Sequence, residues 1–195
     1  LGEIDKKEVR DIARNNNFVT AEKKDSTGIC FIGERPFSEF LTTFLPKEKG
    51  DIIDQDGSFI KHHIGLPFYT IGQRKGLEIG GGHGDSQEPW FVADKLTESN
   101  QIVAVQGNHD LLYHDSLVAD DMHWIDDEPK MPLTCSAKIR YRQASQDCTV
   151  SVGESQTIKV FFKESQRAIT PGQSIVFYNG DICLGGSVIK SRYNE

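Results

Sequence analysis

Apolar positions along the chain pass from mainly helical spacing before Pro46 to alternation beyond Gly50. The opening stretch is helical: Asp5-Lys6-Lys7-Glu8 has capping-box spacing, and Val9, Ile12 and Ala13 share one face. Asn15-Asn16-Asn17 ends it. A polar run over 22–28 leads into Ile29-Cys30-Phe31-Ile32, a brief strand or turn edge bounded by Gly28 and Gly33. After Pro36, the residues Phe37, Phe40, Leu41, Phe44 and Leu45 recur at helical spacing, which predicts a second helix with an aromatic stripe that docks on a core; Pro46 stops it.

Beyond Gly50 the period becomes two. Residues 51–53 and 58–60 flank Asp56-Gly57, a hairpin signal, and 90–93 and 101–105 predict a second hairpin. The intervening 65–84 is glycine-rich. After Gly107 nearly everything is short strand: 117–125, 133–141, 148–152, 157–162, 174–178 and 182–189. Many short strands with Gly, Asn and Pro turns predict a small closed barrel or a sandwich. The layout is thus helix-rich, then mixed, then all-β, with boundaries near Glu34 and Gly107.

Composition adds exclusions. With 195 residues, 37% hydrophobic and 26% charged, the chain reads as globular and long enough for a real core. No run approaches the ~20 apolar residues of a membrane span, and no export leader is visible. The first residue is Leu1, so a piece of a longer protein is expected. Net charge is −7, which argues against a global basic field for nucleic acid. The acids are unevenly spread, however: 110–128 holds seven of them and no Lys or Arg. The average charge therefore says little about any one face.

Cys30, Cys135, Cys148 and Cys183 make no CxxC pair and no zinc spacing, and without a leader a reducing compartment is expected. Cys30 has two readings: an accessible thiol at a glycine-flanked loop edge, or a small buried hydrophobe beside Phe31. The other three fall in strand patterns and read as structural. If 143–147 is the hairpin turn, Cys135 faces a residue near Ser155 and Cys148 one near Tyr141 or Arg142, which argues against a Cys135–Cys148 bridge.

Over 134–142, alternation places Cys135, Ala137, Ile139 and Tyr141 on one face and Lys138, Arg140 and Arg142 on the other. That cationic stripe either tracks an RNA backbone or is a solvated outer face. Arg74-Lys75, between Gly72 and Gly76, and Gly80-Gly81-Gly82-His83-Gly84 both lack the Lys-Ser/Thr ending of a P-loop and read as flexible loops. His62, His63, His109, His114 and His123 fit no metal-ligand spacing, so no metal site is expected.

Six segments in order carry a resemblance: 25–33 (Asp-Ser-Thr-Gly-Ile-Cys-Phe-Ile-Gly), 69–77 (Tyr-Thr-Ile-Gly-Gln-Arg-Lys-Gly-Leu), His123-Trp124, Arg140-Tyr141-Arg142-Gln143, Thr170-Pro171-Gly172-Gln173-Ser174 and Cys183-Leu184-Gly185-Gly186. Together they resemble the tRNA-specific 2-thiouridylases, over essentially the whole chain. The resemblance implies a mainly β fold with a small α+β part. Residues 1–33 would be the tail of a truncated N-terminal ATP-binding (PP-loop) domain, 34–107 a small mixed α+β central domain and 108–195 an antiparallel β-barrel that binds tRNA.

It further implies conversion of wobble uridine to 2-thiouridine, with ATP and Mg adenylating the base and a cysteine persulfide delivering sulfur. The persulfide cysteine maps onto Cys30, and the RNA contacts onto Arg140, Tyr141 and Gln173. The implied partners are a tRNA and a persulfide sulfur-donor protein, in the cytoplasm and away from membranes. The Ser-Gly-Gly-x-Asp-Ser loop, the partner cysteine and the adenylation residues of that family do not occur here. These 195 residues are therefore expected to be inactive alone. The competing expectations are a stand-alone RNA-binding module without chemistry and a thiol redox protein built on Cys30.

Overall fold

The computed structural model describes residues 2–24, 37–45, 47–80 and 87–195. Cys30 and its flanking 25–33 motif lie outside the described residues, as does Gly81-Gly82-His83-Gly84. The chain divides into two compact units, Leu1–Phe44 and Leu45–Glu195.

In the first unit, α1 (Lys6–Asn15) begins where the capping pattern places it: the Asp5 carboxylate accepts the Glu8 N–H at 2.9 Å. It ends at Asn16, whose side-chain amide donates to Ile12 O at 2.8 Å. The second helix is shorter than its stripe predicts. α2 spans Phe37–Leu41 and gives way to turns, leaving Phe44 69% exposed although its ring lies 5.1 Å from that of Phe40.

In the second unit, β1 (Gly50–Ile53) and β2 (Phe59–His63) form the hairpin around Asp56-Gly57, and β3 (Trp90–Leu96) pairs antiparallel with β4 (Gln101–Gln106). The two hairpins join through a parallel β1–β4 pairing, giving a mixed sheet of order β2-β1-β4-β3. Its core holds Ile52, Ile60, Ile71, Leu77, Val92 and Ile102. Then β5 (Tyr113–Trp124), β6 (Leu133–Lys138), β7 (Gln146–Val152), β8 (Ile158–Arg167), β9 (Ser174–Asn179) and β10 (Ile182–Tyr193) close an antiparallel barrel of order β10-β5-β8-β7-β6-β9. The protein is mainly β, with a closed barrel and a smaller mixed sheet.

Alternation fills the barrel. Leu117 and Ala119, Val150, Val160 and Phe162, Ile175 and Phe177, and Ile189 all point inward and are buried. Burying each large side chain stabilises the fold by roughly 1.5–3 kcal/mol. Gly185 is required where β10 crosses β5, because a Cβ there would fall inside van der Waals contact of the His123 carbonyl. Among the described residues no helix is long and apolar enough to cross a membrane.

The barrel and the mixed sheet are tied by buried charge and by backbone. The Arg192 side chain, 8% exposed, donates to Ile169 O at 3.2 Å, to Ala93 O at 2.6 Å and to the Asp94 carboxylate at 3.1 Å. Ala168 N donates to Leu112 O at 2.6 Å, and Ala168 packs into the core of the mixed sheet.

Two expectations about β6 are corrected. The strand ends at Lys138, not at Arg142, so Lys138, Arg140 and Arg142 do not form one stripe along a strand face. The β6–β7 connection is 139–145 rather than 143–147. That register sets Cys135 directly opposite Cys148, so the argument against their proximity fails. Alternation continues into the connection, since Ile139 is still buried, and therefore conceals where pairing stops.

Candidate functional site

Where β6 stops, the chain turns tightly over 140–143. Gln143 N donates to Arg140 O at 3.1 Å, and the Gln143 side chain stitches the turn down. Its Oε1 accepts from Ile139 N at 3.3 Å and its Nε2 donates to Gln166 Oε1 at 2.7 Å. Gln166 is itself buried on β8, with its Nε2 on Glu164 O at 2.7 Å. Gln166 is the buried member of this amide pair, and leaving its side chain unpaired would cost about 1–3 kcal/mol, which holds the turn in place.

At the apex Tyr141 is 95% exposed, and Arg142 is exposed beside it. Alternation groups Tyr141 with Cys135, Ala137 and Ile139, but the residue sits on a turn, outside the pleat, and does not share their face. An aromatic ring held in water by a rigid turn is a platform for stacking.

Arg140 points the other way. Its Nη2 donates to Ile71 O at 3.1 Å, Ala168 O at 3.3 Å and Thr170 Oγ1 at 2.8 Å. Burial lowers the pKa of its guanidinium from the ordinary arginine value. Thr170 Oγ1 in turn donates to Ala168 O at 2.9 Å. Thr170 opens the second turn of the site, where Gln173 N donates to Thr170 O at 3.2 Å and the Gln173 side chain is exposed. The three residues expected to meet RNA thus lie on two turns joined through Thr170.

The loop after Tyr69 forms the other wall. Thr70, Ile71, Gly72 and Gln73, with Arg140, Arg167 and Ala168, line a cleft of ≈480 Å³. This loop is built, not loose: Thr70 N donates to Gln73 Oε1 at 2.9 Å, Gly72 N to Val92 O at 2.7 Å and Val92 N to Gln73 O at 3.0 Å. Gly72 has φ +83°, and a Cβ there would stand 2.6 Å from the Ala168 Cβ. Only glycine satisfies both the turn and the close approach. Arg74 and Lys75 follow on the surface, and Arg167 lies over the Phe91 ring at 4.5 Å.

Sequence reasoning missed Gln143, Gln166, Thr170 and Arg167 as parts of this arrangement. Gln166 and Thr170 are polar residues that turn out buried, and a single sequence gives no sign of that. Lys138, expected on the cationic stripe, instead lies over the Tyr178 ring at 5.3 Å.

The Gly72 and Val92 amides are both hydrogen-bonded between this loop and β3. Among the described residues no group of three or more His, Cys, Asp or Glu is placed to hold a metal.

Comparison with known proteins gives the family. Residues 114–189 match the aminomethyltransferase beta-barrel domain, 38–106 the tRNA methyl transferase PRC-barrel domain and 1–34 the tRNA methyl transferase HUP domain. The chain is 66% identical over 192 residues to the tRNA-specific 2-thiouridylase MnmA of Ruthia magnifica subsp. Calyptogena magnifica, covering 98% of this chain and 53% of that protein. The chain belongs to the tRNA-specific 2-thiouridylase family. Similar matches are to the enzymes of Francisella philomiragia, 53% identical over 97% of this chain and 53% of the relative, and Hydrogenovibrio crunogenus, 52% identical over 100% and 52%. The chain spans about half the length of these family members.

Proposed function

We propose that this chain forms the tRNA-holding half of a cytoplasmic tRNA 2-thiouridylase, with Tyr141 and Gln173 facing the RNA and Arg140 locking their two turns together. The observation that supports this most is the pairing of an exposed aromatic, Tyr141, with an arginine that donates to the hydroxyl of Thr170. Stacking on the ring and phosphate contacts from Arg142, Arg74 and Lys75 then hold the tRNA through shape and charge.

In the whole protein ATP, with Mg, supplies the activated C2 position of the wobble uridine from a domain outside these 195 residues. Cys30 carries the terminal persulfide sulfur, received from a donor protein, and presents it to that carbon. The half described here does not turn over by itself, because the nucleotide-binding residues are not among its own.

The test is Cys30→Ser in the whole protein. Thiolation is expected to be abolished while tRNA affinity stays nearly unchanged. Retained thiolation would refute the role of Cys30, and lost affinity would refute the division of labour.

A further inference from the structure

A second chemical feature lies in the barrel wall. The β6–β7 register places Cys135 directly opposite Cys148, with Sγ–Sγ 3.8 Å, and both are free thiols. The two differ in surroundings: Cys148 is 4% exposed and packs in the barrel core, whereas Cys135 is half-buried. Both line a cleft of ≈1030 Å³ that also includes Ser136, Tyr178 and Lys163. The Cys148 thiol bond favours the thiolate at Cys135, and Cys135 together with burial pushes Cys148 up.

We propose that Cys135 and Cys148 form a dithiol–disulfide site that reacts with low-molecular-weight disulfides entering this cleft. The Cys135 thiolate attacks one sulfur of the disulfide, forming a mixed disulfide and expelling one thiolate. The Cys148 thiol then gives up its proton, and its sulfur attacks the Cys135 sulfur. The second small thiol leaves and the Cys135–Cys148 bond forms. The protein pair loses two electrons and two protons, and the small disulfide becomes two thiols. Closing the gap requires the sulfurs to approach by about 1.8 Å, to the ~2.05 Å of a disulfide, within reach of side-chain rotation. The inference is independent of the RNA reading, since no residue of the Tyr141 or Gln173 turn takes part.

Tryptic mapping reads the outcome directly, because cleavage after Lys138, Arg140 and Arg142 separates Cys135 (131–138) from Cys148 (143–159). After incubation of the chain with oxidised glutathione, these peptides are expected as one linked species that dithiothreitol separates. In Cys148→Ser, a glutathione adduct should persist on Cys135. In Cys135→Ser, Cys148 should take up glutathione about tenfold more slowly, or less, because it is buried. Both peptides recovered free, each carrying its own adduct, or linked instead to Cys30 or Cys183, would overturn the proposal. The unsubstituted chain decides the matter even if a variant fails to fold.

Discussion

Arg140 donates from Nη2 to the hydroxyl of Thr170 at 2.8 Å, and this bond joins the turn that carries Tyr141 to the turn that carries Gln173. The same nitrogen reaches Ile71 O in the loop after Tyr69. One guanidinium therefore sets the spacing of three surface loops. Its planar fork suits this task better than an ammonium, which would hold the loops only as a point charge.

The first prediction separates display from support. Tyr141→Ala should lower tRNA affinity by about 1–3 kcal/mol, the usual worth of one base–aromatic stack, with no measurable change in stability. Arg140→Ala should lower both, since each bond from a charged donor contributes about 1.5–3 kcal/mol and carbonyl acceptors are left bare. Parallel tRNA titrations and urea unfolding curves check the contrast.

Arg142 is exposed and, on this account, meets phosphate. Arg142→Ala should weaken tRNA binding and reduce the slope of log K against log salt by about one unit. Affinities measured across a salt series give that slope.

Arg192 ties β10 to β3 through Ala93 O and Asp94. Replacing it with Met keeps much of the apolar stem but removes every donor, and should cost about 3 kcal/mol of folding stability. The shift in urea midpoint at unchanged m-value measures it.

Two histidines set an acid limit. His63 is buried, accepts from Gly65 N at Nδ1 and donates from Nε2 to Asn100 O, an arrangement that requires the neutral ring. Burial lowers its pKa, and burial followed by the Arg192 charge lowers that of His114. In both cases the unfolded chain takes up protons first. Their contribution to stability is therefore full above the ordinary histidine pKa of ~6.5 and is lost as pH falls below it. Denaturant midpoints from pH 7.5 to 5 should fall, and His63→Gln should flatten part of that fall.

Much of the fold is legible in the residues themselves. The Asp5 cap, the Asp56-Gly57 hairpin and the alternating strands after Gly107 all appear where local chemistry puts them, because each depends on neighbours a few positions away. The parallel β1–β4 pairing is not legible, since it depends on contact across about fifty residues. Nor is the end of β6: Ile139 keeps the inward alternation after the hydrogen-bonded ladder has ended, so the period alone carries Tyr141 to the wrong side. Arg140, Tyr141 and Gln173 enter through the resemblance alone, and the structure sets them on two turns joined through Thr170. Their division into one anchor and two exposed groups is not legible in the residues, because it follows from where Thr170 and Ile71 lie in space.

The most direct measurement is titration of this chain with a tRNA bearing a wobble uridine, comparing the natural sequence with a Tyr141→Ala/Gln173→Ala double variant. Salt-dependent binding that drops at least tenfold in the double variant, at unchanged thermal stability, is the predicted result. Equal affinity of the two chains would contradict the claim that these turns hold the tRNA.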